Sequence, residues 1–191
     1  MAMTTIGLFA RPFYYLRHGE TEANARGVIS GALDVDLTVL GREQARAAAL
    51  ALAGEPITAI YSSPLRRARD TAEPIAQALH LPVTIIGEIA ERRRGTLEGK
   101  PRDTPVGDTA PEGSESFEEF TKRVLRGLSQ VDGRVSLVVA HAGVFRVLCR
   151  TLDIVETEGP VENALPLHFA PLAAGGWKLE AAGSALLSSR L

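Results

Sequence analysis

Cysteine is nearly absent: Cys149 stands alone in 191 residues, so no internal disulfide can form. Its place in "VFRVLCRTL" reads as a buried, inert thiol. No run of about 18 apolar residues occurs, which argues against a membrane-spanning helix. A dominant charge is missing too. The formal net charge is −2 at pH 7, so no global field draws the chain to nucleic acid or to an anionic membrane. "MAMTTIGLFARPF" has neither a basic leader nor a long apolar stretch, so no signal peptide is expected and the expected location is cytoplasmic. Internal repeats, linkers and low-complexity tracts are lacking, which favours one domain over 1–191. There is no Gly-rich phosphate loop with Lys, no H-E-x-x-H pair and no His/Cys cluster at metal-ligand spacing. The expectation is no metal and no cofactor.

What is present is a core and a pattern. Hydrophobic residues make up 45% of the chain, enough to bury a real interior. Short apolar runs at 12–16, 57–62, 82–86 and 135–140 read as strands, and "LPLHFAP" with "GWKLEAA" reads as a closing pair. Residues 18–37 read as a loop. Thr38 caps a helix that stops at Gly54, and a second helix over 64–80 is expected to kink or restart at Pro74. Ser116 and Glu119 form a capping box for a third helix, with Phe117, Phe120, Val124, Leu128 and Val131 on one face. A fourth helix covers 143–152. Residues 92–115, rich in Gly, Pro, Asp and Arg, read as a long lid-like surface loop. Strands alternating with helices imply an α/β fold, a mostly parallel mixed sheet covered on both faces.

In such sheets, ligands sit beyond the carboxyl ends of the strands. Three of those ends carry unusual residues: Arg17-His18-Gly19, the "SSPLRRA" stretch with Arg66 and Arg67, and His141-Ala142-Gly143. Two of the four histidines lie there, while His80 and His168 read as structural. A single His at a strand end is more often structural than catalytic, so the weight lies in the coincidence of three. Two imidazoles, guanidiniums and helix N-termini facing one pocket suit a phosphoryl group better than a carboxylate. Without a metal, arginines must neutralise the charge. A neutral imidazole can attack phosphorus, and the leaving alkoxide then needs a proton from a nearby carboxyl group. "EIAERRRGTLEGK" offers Glu88, Glu91 and Glu98, and spacing leaves the choice open.

At this point "LRHGETEAN", "SGALDVDLTVLGREQA", "SSPLRRARDTA", "ERRRGTLEG" and "VVAHAGV" together resemble the histidine phosphatase superfamily, also called phosphoglycerate mutase-like, over about residues 12–181. The resemblance implies an α/β/α sandwich around a mixed sheet and a small phosphorylated substrate; a homodimer is common among such proteins. It makes His18 the nucleophile that becomes phosphohistidine, with Arg17, Arg67 and Asn24 holding phosphoryl oxygens. It pairs His141 with His18 across the phosphate, makes Glu91 the proton donor and leaves Arg66 without an inherited role. Three positions depart from the family pattern: Arg94 where an aromatic is usual, Leu97 where Trp is common and Ala142 where Gly is frequent. All three bear on pocket shape and substrate.

The resemblance covers phosphatases and cofactor-dependent mutases. The short segment "KPRDTPVGDTAPEGSE", by comparison with the longer basic insertion of mutases, favours hydrolysis by water. Arg92, Arg94 and Lys100, with Arg93 and Arg102 nearby, are candidates to hold a second anionic group, against the plain reading of a solvated basic loop. Five cations without interleaved aromatics make a poor nucleic-acid footprint. An inactive binding module is disfavoured, because nucleophile, acid and phosphate-binding arginines are all present.

Overall fold

In the computed structural model of the chain, which describes residues 7–106, 109–132, 134–155 and 161–183, the elements follow the expected alternation. They are β1 (Phe13–Arg17), α1 (Glu22–Ala25), α2 (Val39–Leu52), β2 (Ala59–Ser62), α3 (Arg66–Leu79) and β3 (Val83–Ile85). After a long connection come α4 (Phe117–Leu128), β4 (Ser136–Ala140), α5 (Ala142–Thr151), β5 (Pro166–Pro171) and β6 (Trp177–Ala181). Six strands form one mixed sheet in the order β3-β2-β4-β1-β5-β6. The pairs β2–β3, β2–β4 and β1–β4 are parallel, and β5 and β6 close the sheet antiparallel.

The period of two along the central strands divides the core in two. Tyr14 and Leu16 of β1, with Leu137 and Val139 of β4, face the small residues of α2 and α3, among them Ala48, Ala68 and Ala72. Phe13 and Tyr15, with Val138 and Ala140, face Phe120, Val124 and Leu128 of α4 and Val144 and Leu148 of α5. The result is a three-layer α/β/α sandwich. Every residue of β1 and β4 is buried, as expected for central strands of a sheet covered on both faces.

The caps expected at Thr38 and Ser116 are present: Thr38 Oγ1 accepts from the Gly41 amide at 3.0 Å, and Ser116 and Glu119 exchange bonds of 2.9 and 3.1 Å. Two expectations need correction. The 18–37 loop contains one helical turn, α1, closed by a reciprocal cap between Thr21 and Asn24. Helix α3 does not restart but runs through Pro74. Its buried residues Ala68, Thr71, Ala72, Ile75 and Ala76 lie on both sides of the proline and keep one continuous packed face. Among the described residues of 92–115, a 3₁₀ turn spans Gly95–Leu97, and bridges join Val28 to Pro101 and Arg94 to Ser114.

The turn after β1 and the first turn of α2 meet backbone to backbone. A Cβ added at Gly41 would collide with the Glu20 carbonyl, and one at Gly19 with the Gly41 carbonyl. Gly41→Ala is therefore expected to cost about 1–3 kcal/mol, the range for overpacking. The melting temperature should fall by several degrees, at roughly 2–4 °C per kcal/mol for this size. An unchanged melting temperature would show that α2 moves freely away from Glu20.

Candidate active site

β1, β4 and β2 run parallel, so their carboxyl ends meet, and each ladder continues one residue past its strand. The His18 amide donates to the Ala140 carbonyl and the Ser63 amide to the Val139 carbonyl, both at 3.0 Å. These bonds set His18 and Ser63 on either side of His141, the N-cap of α5. The two imidazole centroids lie 5.3 Å apart with the rings inclined at 58°.

The tautomer of His18 follows from its partner. Nδ1 lies 2.8 Å from the Gly19 carbonyl oxygen, which can only accept, so Nδ1 carries the proton and Nε2 keeps its lone pair. Burial, then the positive charge of Arg67, hold its pKa well below the ordinary 6.5, with Arg17 adding to the effect. His18 is thus a neutral imidazole at pH 7. His141 is also completely buried, and burial followed by Arg67 and His18 pushes its pKa well down. Its Nε2 is 2.7 Å from Ser63 Oγ. The hydroxyl of Tyr15 donates to its carbonyl at 2.6 Å, and its Nδ1 has no hydrogen-bond partner among the described residues.

Two guanidiniums share this floor. Arg67 is fully buried, with Nη1 donating to the Leu33 carbonyl at 2.7 Å and Nη2 to the Gly31 carbonyl at 2.8 Å. Arg17 donates from Nη1 to the Val161 carbonyl at 2.6 Å. The Nε atoms of both are buried without a partner among the described residues. Burial lowers the pKa of each from the usual arginine value. Thr71 locks the arrangement: its hydroxyl donates to the Arg67 carbonyl at 2.6 Å and accepts from the Gly19 amide at 2.9 Å. Asn163 Nδ2 donates to the His18 carbonyl at 2.8 Å and to Asn24 Oδ1 at 3.3 Å.

Above lies a cavity of about 370 Å³, lined by Arg17, His18, Asn24, Arg67 and Glu91 among others. Of the three candidate carboxyl groups, only Glu91 lines it. Glu98 Oε1 accepts from the amides of Ala32 and Arg94, a structural tie, and Glu88 sits 4.0 Å from Arg126. Glu91 Oε1 accepts from the Arg92 amide at 2.7 Å and Oε2 from the Gly143 amide at 3.0 Å. Any side chain at 143 would strike Glu91 Oε1, so this glycine makes the approach feasible.

Beneath Glu91 lies a buried ion pair. Arg123 grips Glu115 with two bonds of 2.8 and 2.7 Å, and its Nη1 also donates to the carbonyls of Glu88 and Ala90. Burial pushes the Glu115 carboxyl up, but the Arg123 hydrogen bond and charge more than offset it, leaving it below the usual carboxylate range.

Arg92 and Arg94 line the cavity, and Lys100 does not. Alternation along the extended segment puts Arg92 and Arg94 on the cavity side and leaves Arg93 exposed. At Gly99 the backbone turns through φ 81°. Exposed Lys100 lies outside the cavity, and Arg102 takes the lining position instead. Arg66 points outward into ion pairs with Asp36 (2.9 Å) and Asp70 (3.6 Å). Sequence reasoning passed over Ser63, Asn163, Arg146 and the Glu115–Arg123 pair. Ser63 was legible as a polar residue at a strand end; the others carry no local signal, because only the fold brings them near.

The family model described as "Histidine phosphatase superfamily (branch 1)" matches residues 13–168. A metal-independent phosphoserine phosphatase of Arabidopsis thaliana is 34% identical over 171 residues, 78% of this chain and 71% of that protein. The solved structure of a mycobacterial glucosyl-3-phosphoglycerate phosphatase superposes with a TM-score of 0.74 at 27% identity, covering 91% of this chain and 98% of that one. A putative alpha-ribazole-5'-P phosphatase from Escherichia coli gives 0.76 at 28% identity, covering 90% and 95%.

Both buried imidazoles have folded pKa values below their unfolded ones, so the unfolded chain takes up protons first as pH falls. Their contribution to stability is complete above about pH 6.5, the ordinary value, and drains away as pH falls toward the folded values. The urea-unfolding free energy is expected to decline between pH 7 and 5, and His18→Asn to flatten that decline. An identical decline in the variant would remove His18 from the cause.

Proposed function

The chain belongs to the histidine phosphatase superfamily and is a phosphatase; from that premise we propose that it hydrolyses a small phosphomonoester, without a metal, through a phosphohistidine on His18. The observation that carries this reading is the set of three buried nitrogens, Arg17 Nε, Arg67 Nε and His141 Nδ1, lacking partners among the described residues beside a neutral imidazole. Buried donors without acceptors are costly. A phosphoryl dianion supplies the missing acceptors and offsets the desolvation of both guanidiniums.

In the first step His18 Nε2 attacks phosphorus and the P–O bond to the leaving group breaks. Nδ1–H stays on the Gly19 carbonyl, which stabilises the imidazole as positive charge develops on the ring. Glu91, as the acid, gives its proton to the departing oxygen. In the second step Glu91 takes a proton from water as that water attacks phosphorus. The P–N bond then breaks, releasing phosphate and restoring neutral His18. Arg17 and Arg67 hold the non-bridging oxygens as negative charge shifts toward the leaving group. His141 completes the cradle with Nδ1–H, a tautomer in which Nε2 accepts from the Ser63 hydroxyl. Asn24, whose Oδ1 accepts from the Thr21 amide at 3.2 Å, has its Nδ2 end to donate.

Charge neutralisation falls to arginine in this scheme. Among the described residues no group of three or more His, Cys, Asp or Glu could hold a metal ion, and the similar plant enzyme is named metal-independent. Hydrolysis is favoured over phosphoryl return to a second hydroxyl because the similar proteins described above are phosphatases.

Wild type is expected to release phosphate from small monoesters in EDTA, and His18→Ala to release none. Rapid quenching should add one phosphoryl group to the intact mass of wild type alone. A strict Mg²⁺ requirement, or isomerisation of 3-phosphoglycerate without phosphate release, would overturn the proposal. Glu91→Gln should slow phosphoenzyme formation, the step read by rapid quenching, by about 10²–10⁴ for alkyl phosphates, yet far less for p-nitrophenyl phosphate, because that leaving group departs as an anion. Equal losses on both substrates would strip Glu91 of its role as acid.

A further inference from the structure

Beyond the two guanidiniums at its floor, the cavity carries a second cationic set. Among the described residues, six arginines line it (Arg17, Arg67, Arg92, Arg94, Arg102 and Arg146) against one carboxylate, Glu91. On a chain with a net charge of −2, that is a steep local excess. Among the described residues, no carboxylate lies within ion-pair distance of Arg92, Arg94 or Arg102. These charges also act on one another. Burial and then Arg94 depress the pKa of Arg92, and Arg102 ranks next after burial in depressing Arg17.

Backbone hydrogen bonds anchor the segment that carries Arg92, Arg94 and Arg102. The Arg102 amide donates to the Gly27 carbonyl at 2.9 Å, and Ile29 exchanges bonds with Gly99 and Lys100 at 2.7 and 2.8 Å. The Arg94 amide is bound by Glu98 Oε1 at 2.8 Å. Arg92 Nε donates to the Glu115 carbonyl at 2.7 Å, and its guanidinium lies 5.9 Å from the centre of the Phe117 ring. A solvated basic face would spread such charges apart. Here anchored backbone brings like charges together around one small cavity, an arrangement that an anion in the cavity would relieve.

We propose that Arg92, Arg94 and Arg102 form a second anion site, so that the substrate is a phosphomonoester bearing a further acidic group, a carboxylate or a second phosphate. This rests on the phosphomonoesterase reading above. The volume, at the lower end of the range for small-molecule pockets, calls for a compact molecule. Phe117, Leu97 and Val106 provide apolar wall for its body. Arg94, which lines the cavity beside Leu97, is central to this selectivity.

The test uses matched pairs: O-phosphoserine against O-phosphoethanolamine, 3-phosphoglycerate against glycerol 3-phosphate, and fructose 1,6-bisphosphate against fructose 6-phosphate. For each pair, the ratio of kcat/KM is measured for wild type and for the Arg94→Gln/Arg102→Gln double variant. Calorimetric binding of the same esters to His18→Ala, with and without the two Gln substitutions, reads the subsite independently of turnover. At least one pair is expected to show a preference of about tenfold or more for the more acidic member, the scale of one charge-assisted contact. That ratio should fall toward one in the double variant and recover in part with Arg94→Lys. The first two pairs report a carboxylate and the third a second phosphate. Equal or reversed ratios in all three pairs, a preference that survives the double variant, or no binding of any ester to His18→Ala would overturn the inference. Hydrolysis without preference defeats the second site and leaves the phosphatase reading intact. Arginine-dependent binding without hydrolysis does the reverse.

Discussion

Two positive charges are held inside this protein by carbonyl oxygens. Arg67 is wholly buried and rests on the Gly31 and Leu33 carbonyls, and Arg17 on that of Val161. Carbonyl dipoles compensate a buried guanidinium only in part, and both residues pay in lowered proton affinity. The rest of the site is organised around that incomplete compensation. Burial first, and then these charges, keep His18 and His141 neutral, and an inward electrostatic demand remains that a carboxylate partner would have cancelled.

Such an arrangement needs a rigid frame, and the central strands supply it. Because β1, β4 and β2 are parallel and adjacent, backbone hydrogen bonds bring their last residues together. Close approaches at Gly19, Gly41 and Gly143 remove the room for drift. The proposed acid belongs to a less regular segment and is steadied differently. Arg123 reaches back from α4 to the carbonyls of Glu88 and Ala90, with Glu115 holding its other side. Burying that pair is worthwhile for the backbone it fixes rather than for the pair's own attraction.

The sequence revealed the parts of the protein that depend on local pattern. Strand alternation, the Thr38 and Ser116 caps and the polar strand ends are written within a few residues of one another, and so were readable. Arg17, His18, Arg67 and His141 could be grouped because the parallel-sheet rule collects strand ends. What stayed hidden depends on contacts across the fold. Asn163 reaches His18 from 145 residues away. Lys100 and Arg102 lie two residues apart, yet of the two it is Arg102 that lines the cavity. Pro74 looked like a break because a proline removes a hydrogen bond, but the packed face of α3 spans it.

Glu98 shows how little chain is needed to join the two regions of the cavity. One of its carboxylate oxygens accepts from Ala32 and Arg94 together. Ala32 lies between Gly31 and Leu33, the residues whose carbonyls seat Arg67, while Arg94 belongs to the cationic rim. Floor and rim are therefore tied by this carboxylate, alongside the bonds that Ile29 exchanges with Gly99 and Lys100. The entrance and the seat of Arg67 thus share one hydrogen-bonded framework.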